Sequence, residues 1–119
     1  DAISGGSGND SLSGGSGDDV FILEDGYGND TIDGGSTGET IGDTLDLSGI
    51  VSDLTVDLSS GTSGTGTVTG VDGTVTFTDI ERVILGGAND TVVLASGSGN
   101  DVVSNSSDTA VAVLGELSA

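Results

Sequence analysis

The sequence predicts an all-β chain, built from short strands and glycine-rich turns that stack as repeats. Three observations carry that prediction. A Gly-Gly-x-Gly-x-Asp run recurs at a spacing of nine residues near the start. Through the middle, apolar and polar residues alternate with period two, the pattern of half-buried strands. Helix-favouring composition is missing, with 23 glycines, a single Lys or Arg, and alanines that stand singly. No helix longer than a turn is expected.

The 119 residues suffice for one domain, read as repeats over 1–46, divergent β coils over 47–84, and degenerate repeats with a final strand over 85–119. Twenty acidic side chains against one basic one give a net charge of −19. Such a charge repels nucleic-acid phosphate and anionic lipid, so neither is an expected partner. No apolar run approaches the roughly 20 residues of a membrane helix, and no membrane insertion is expected. His, Cys, Met, Trp and Pro are absent. Without imidazole, thiolate or amine, the chain is not expected to be an enzyme. It starts at Asp1 rather than Met and reads as a fragment or a processed product. A hydrophobic content of 33% favours folding while the charge opposes it. A bound cation would reconcile the two.

The repeats follow in order. Gly5-Gly6-Ser7-Gly8-Asn9-Asp10-Ser11-Leu12-Ser13 and Gly14-Gly15-Ser16-Gly17-Asp18-Asp19-Val20-Phe21-Ile22 both fit G-G-x-G-x-D-x-U-x, with U a large apolar residue. Asp1-Ala2-Ile3-Ser4 is the tail of a preceding copy, so Asp1, Asp10 and Asp19 fall nine apart. Asp25-Gly26-Tyr27-Gly28-Asn29-Asp30-Thr31-Ile32 continues the pattern after a two-residue insertion. A fourth turn, swollen by insertion, runs from Gly34-Gly35 to Asp43-Thr44-Leu45. The pattern resumes at Gly86-Gly87-Ala88-Asn89-Asp90 and at Gly97-Ser98-Gly99-Asn100-Asp101, where Asp79, Asp90 and Asp101 are eleven apart. Between these, Leu54, Val56 and Leu58 share one face, and Val75 and Phe77 alternate with threonines.

Six residues of each nonapeptide make a turn and three a strand. The glycines admit left-handed backbone and close approach, and the sixth residue adds a carboxylate. Leu12, Phe21 and Ile32 are expected to point inward as one thin column. Calcium takes 6–8 oxygens at roughly 2.3–2.6 Å, more than one turn can supply, so each ion needs two stacked turns. With two turn–strand units per coil, a turn lies over its second neighbour, pairing Asp1 with Asp19, Asp10 with Asp30 and Asp19 with Asp43. Without metal, carboxylates in register across roughly 4.7–4.9 Å repel one another, so binding and folding should be coupled. The expected ligands are the turn residues Asp1, Gly6, Gly8, Asp10, Gly15, Gly17, Asp19, Gly26, Gly28, Asp30, Gly35, Asp43, Gly86, Asp90, Gly99 and Asp101, holding several Ca2+ ions. Asp18 reads as a solvated variable residue, Ser7, Ser16 and Tyr27 as variable turn positions, and Glu81-Arg82 as an exposed charge pair.

These repeats resemble the RTX (repeat-in-toxin, haemolysin-type) calcium-binding family of Gram-negative secreted proteins, strongly over 1–33 and more weakly over 34–46 and 85–104. The resemblance implies a parallel β-roll, or β-solenoid, with calcium between its turns, one-step type I export, and folding outside the cell. The function expected is that of a calcium-binding structural module of a secreted bacterial protein. One alternative is a subunit of a calcium-dependent extracellular filament or surface layer. Its head-to-tail self-association would bring Gly115-Glu116-Leu117-Ser118-Ala119 to a neighbour's Asp1. Another is the C-terminal secretion and folding appendage of a secreted protease or lipase.

Overall fold

A computed structural model describes residues 1–59, 64–86 and 90–93, together with the backbone of two later strands at 102–105 and 111–114. The described residues form twelve strands: β1 (Ala2–Ile3), β2 (Ser11–Ser13), β3 (Val20–Glu24), β4 (Thr31–Asp33), β5 (Thr44–Gly49), β6 (Thr55–Asp57), β7 (Gly66–Gly70), β8 (Gly73–Thr78), β9 (Arg82–Leu85), β10 (Asp90–Val93), β11 (Val102–Asn105) and β12 (Val111–Leu114). Among the described residues there is no helix, and none long and apolar enough to cross a membrane. Gly99, Asp101 and the junction at 115–119 lie outside the described residues.

Apart from β6, β7 and β8, successive strands are dealt alternately to two sheets. A five-stranded sheet, ordered β1-β3-β5-β9-β11, is parallel throughout. A seven-stranded sheet runs β12-β10-β6-β7-β8-β4-β2. Parallel neighbours need a crossover, and each glycine-rich turn supplies one by carrying the chain to the opposite sheet. The register confirms the spacing arithmetic. Ala2 pairs with Val20, Ser11 with Thr31, and Val20 with Thr44, which sets Asp1 beside Asp19, Asp10 beside Asp30, and Asp19 beside Asp43.

The expectation of parallel strands is corrected in the middle, where β6, β7 and β8 form an antiparallel meander within the seven-stranded sheet. The reason is local. Gly70 pairs with Gly73, leaving only Val71 and Asp72 as a loop, and a two-residue loop can return a strand only antiparallel. The hairpin tip takes the place of the next repeat turn. Its Asp72 accepts the Gly26 N–H at 2.9 Å, and Thr74 donates its N–H to Asn29 at 2.8 Å.

The core lies between the sheets and has two facing columns rather than the expected one. Leu12, Ile32 and Phe77 stack in the seven-stranded sheet. Ile3, Phe21, Leu45 and Val83 stack in the other. Period-two alternation sends every second residue of each strand inward, and Phe21, Ile32, Leu45, Phe77 and Val83 are all buried. Tyr27 is a further correction. It is buried inside the turn, and its hydroxyl donates to the Gly73 carbonyl at 3.1 Å.

Candidate metal centre

Each repeat turn ends on a residue that immediately precedes a strand, so the stacking of strands stacks these residues too. Asp1, Asp19, Asp43 and Glu81 line the edge entered by the five-stranded sheet, before β1, β3, β5 and β9. Asp10 and Asp30 precede β2 and β4 on the opposite edge, and Asp90 opens β10 there.

One hydrogen bond recurs along both edges. A side-chain oxygen of Asp19, Asp30, Asp43, Glu81 and Asp90 accepts a backbone N–H from one coil away. Asp10 donates to Asp30 at 2.8 Å, Asp19 to Asp43 at 2.8 Å, and Leu54 to Asp90 at 3.0 Å. Asp43 donates to Glu81 Oε2 at 2.7 Å, and the Asp1 nitrogen donates to Asp19. The bond fixes one carboxylate oxygen and leaves the other. Oδ2 of Asp10, Asp19, Asp30, Asp43 and Asp90 is buried without a hydrogen-bond partner. Asp19, Asp30 and Asp90 are 2% exposed and Asp43 is 0% exposed. A buried, unpaired carboxylate oxygen is costly, and either a proton or a cation relieves it.

The electrostatics agree. Burial pushes the Asp43 carboxyl above the usual carboxylate range, with the charges of Asp19 and Asp18 adding to it. Burial does the same to Asp90, with Asp53 nearby. These donors are all hard oxygens, which suits calcium rather than a metal that wants nitrogen or sulfur. The ladder residues therefore fit Ca2+.

The predicted glycines occupy the turns as expected. Gly6, Gly8, Gly15, Gly17, Gly26, Gly28 and Gly35 all have positive φ, between +83° and +115°. Gly35 also packs so closely that a Cβ there would lie 2.0 Å from the Gly15 carbonyl oxygen. Gly14, left out of the expected ligands, is demanded by the carboxylate itself, since its Cβ would lie 2.4 Å from Asp19 Oδ2. Gly86 does not have the left-handed φ of the others. It is buried, and a Cβ there would lie 2.3 Å from the Ile50 carbonyl oxygen, so close packing rather than φ calls for glycine.

Three readings change. Asp18 is not merely solvated. Its carboxylate accepts the N–H groups of Thr40 at 2.8 Å, Ile41 at 3.2 Å and Gly42 at 3.0 Å, and these bonds hold its carboxyl below the ordinary range. Glu81 is half-buried and continues the ladder. Asp79, which keeps the eleven-residue spacing, instead sits at φ 52° in the turn before it, a conformation Asp tolerates better than most residues. Spacing singled out Asp79, but the register of β9 puts Glu81 at the stacking position. On the opposite edge the ladder is interrupted after Asp30, because Thr31 pairs with Thr76 and the preceding position is Val75.

Glu39, from the swollen turn, joins Asp43 and Glu81. One carboxylate oxygen from each lies within 4.8 Å of the others. Desolvation, a side-chain hydrogen bond with Asp43 and the charge of Glu81 push Glu39 up to about 7.

Comparison with known proteins gives this geometry its meaning. Residues 1–27 and 22–37 match the RTX calcium-binding nonapeptide repeat, with 4 copies in all. The match ends before Glu39, Asp43, Glu81 and Asp90. No curated protein and no solved structure matches the chain. The repeat marks the segment as a calcium-binding module, and Ca2+ as the ion its turns bind.

Proposed function

We propose that this chain is a calcium-dependent β-roll, a solenoid module with no chemistry of its own, whose turns close around Ca2+ when a secreted bacterial protein folds outside the cell. The observation that carries this reading is the row of buried Oδ2 atoms on Asp10, Asp19, Asp30, Asp43 and Asp90, the last four on carboxylates whose other oxygen is already engaged. One acid placed so would be an anomaly. Five at equivalent positions describe a fold designed around cations. The net charge of −19 supplies the switch, since self-repulsion disfavours the compact chain until divalent ions neutralise it.

Sedimentation velocity with a chelator and then with excess calcium tests the proposal. The expected result is conversion of an expanded monomer into a compact one. Large species that dissolve on adding EDTA would instead assign the calcium to assembly through the sheet ends. Identical profiles in both conditions would overturn the calcium-coupled reading altogether.

A further inference from the structure

We infer that Glu39, Asp43 and Glu81 form a separate, all-carboxylate calcium site, built where the swollen turn at 34–42 meets the turn at 79–81. The inference rests on the calcium reading above but not on the nonapeptide. Two of its three ligands come from places the repeat does not define, an insertion and the residue before β9, and all three lie beyond the matched segment.

Proximity alone would not make a site, since acidic residues often cluster at surfaces. The decisive observation is that Asp43 is 0% exposed and its Oδ2 has no partner. Glu39 Oε1 is likewise buried and unpartnered, although the residue as a whole is half-buried. The two carboxyl groups are near enough to share one proton, and a bound cation would take that proton's place between them. Among the described residues no salt bridge joins any of the three to Arg82, which by sequence is the only basic side chain.

The surrounding backbone holds this arrangement in place. Asp18 gathers the N–H groups of Thr40, Ile41 and Gly42, which fixes the loop that carries Glu39. At Gly42, with φ +92°, a Cβ would lie 2.6 Å from Glu81 Oε2, so only glycine lets Glu81 lie over the loop. Glu81 Oε2 is tied to the Asp43 N–H. Calcium accepts carboxylates singly or in pairs, completes its shell with water at a partly open site, and binds more tightly as the number of anionic ligands rises. Three carboxylates exceed the two that a pair of stacked nonapeptide turns brings together. This site is therefore the first to fill, and it pins the repeat turns to the divergent middle of the chain.

Calorimetric titration of the chelator-stripped 119-residue chain with calcium chloride tests the inference. Wild type should show a tight phase followed by weaker ones. Glu39→Gln should remove the tight phase or weaken it at least tenfold, with later uptake and calcium-induced compaction retained. The double variant Glu39→Gln/Glu81→Gln should do the same more completely. Asp10→Asn, on the opposite edge, should spare the tight phase and remove a weaker one. An unchanged isotherm in both Glu39 variants would overturn the separate site while leaving the repeat reading intact. So would equal loss of the tight phase in Glu39→Gln and Asp10→Asn. Absence of any uptake by wild type would overturn both.

Discussion

Glu81 stands on Asp43 as Asp43 stands on Asp19: Glu81 Oε2 accepts the Asp43 N–H at 2.7 Å, and Asp43 accepts the Asp19 N–H at 2.8 Å. A longer side chain performs the same task outside the nonapeptide pattern. What the stack requires at this position is an acceptor that reaches back one coil, and the repeat is one way of providing it. Glu81→Ala should therefore destabilise the calcium-loaded chain by about 1–3 kcal/mol, the cost of leaving a buried N–H unpaired. Glu81→Gln should recover part of that stability, because the amide oxygen still accepts the N–H although a charged ligand is lost. Urea midpoints in saturating calcium, compared between the two variants, check the ordering.

Asp18 does with a carboxylate what asparagine does on the other edge. Asn9 accepts the Asn29 N–H at 2.9 Å, and Asn29 accepts the Thr74 N–H at 2.8 Å. Asp18→Asn should thus change stability little, while Asp18→Ala should release the three N–H groups of the 40–42 segment and loosen that loop. A protease that cuts after glutamate should cleave at Glu39 faster in Asp18→Ala than in Asp18→Asn. Equal cleavage rates would mean that the loop is held by something else.

Gly14→Ala addresses the ladder without touching an acid. The new Cβ would lie 2.4 Å from Asp19 Oδ2 and 2.6 Å from the Gly34 carbonyl oxygen. Both contacts must open, the carboxylate by swinging away and the Gly34 backbone by shifting. The expected outcome is weaker calcium uptake, measured by calorimetry, together with a lower unfolding midpoint. Unaltered uptake would show that Asp19 Oδ2 does not face the ion.

Phe77 joins the meander to the repeats. It stacks on Ile32 and faces Gly66 across the β7–β8 pair, where a Cβ on Gly66 would lie 2.8 Å from the ring. Phe77→Ala should cost about 3–5 kcal/mol, by lost burial and the cavity left behind. Chemical denaturation in calcium measures it directly.

Much of this was legible in the sequence wherever the chemistry is local. The glycines with positive φ, the nine-residue spacing and the pairing of Asp10 with Asp30 all follow from one repeat seen twice. Two kinds of feature were not. Glu81 and Glu39 have no spacing signature, because their positions depend on how β9 and the insertion register against residues far away in sequence. The meander was hidden for a similar reason: alternation identifies β6, β7 and β8 as strands but carries no information about their direction. Gly70-Val71-Asp72-Gly73 was the available signal, since glycines flanking a two-residue loop favour a hairpin. Tyr27 escaped because turn positions facing solvent in one repeat can face the core where an insertion rotates the turn.

Protons should partly replace calcium. Glu39 is pushed up to about 7, and Asp43 and Asp90 are also raised, with burial the largest cause in each. A carboxyl raised in the folded state binds more protons there than in the unfolded chain. Its stabilising contribution is complete below the unfolded value and is lost as pH rises through the folded one. For Glu39 that window runs from its ordinary 4.5 to about 7. The calcium-free chain should therefore be more compact and more resistant to urea at pH 5 than at pH 8. Calcium works in the opposite direction, since the ion competes with the proton for the same oxygens, so half-saturation should need more calcium at pH 5. Tyr27 is the only tyrosine and is buried, so its fluorescence reports both titrations. A calcium-free chain equally unfolded at pH 5 and pH 8 would show that the buried carboxyls do not oppose folding, and that the ion acts by some means other than neutralising them.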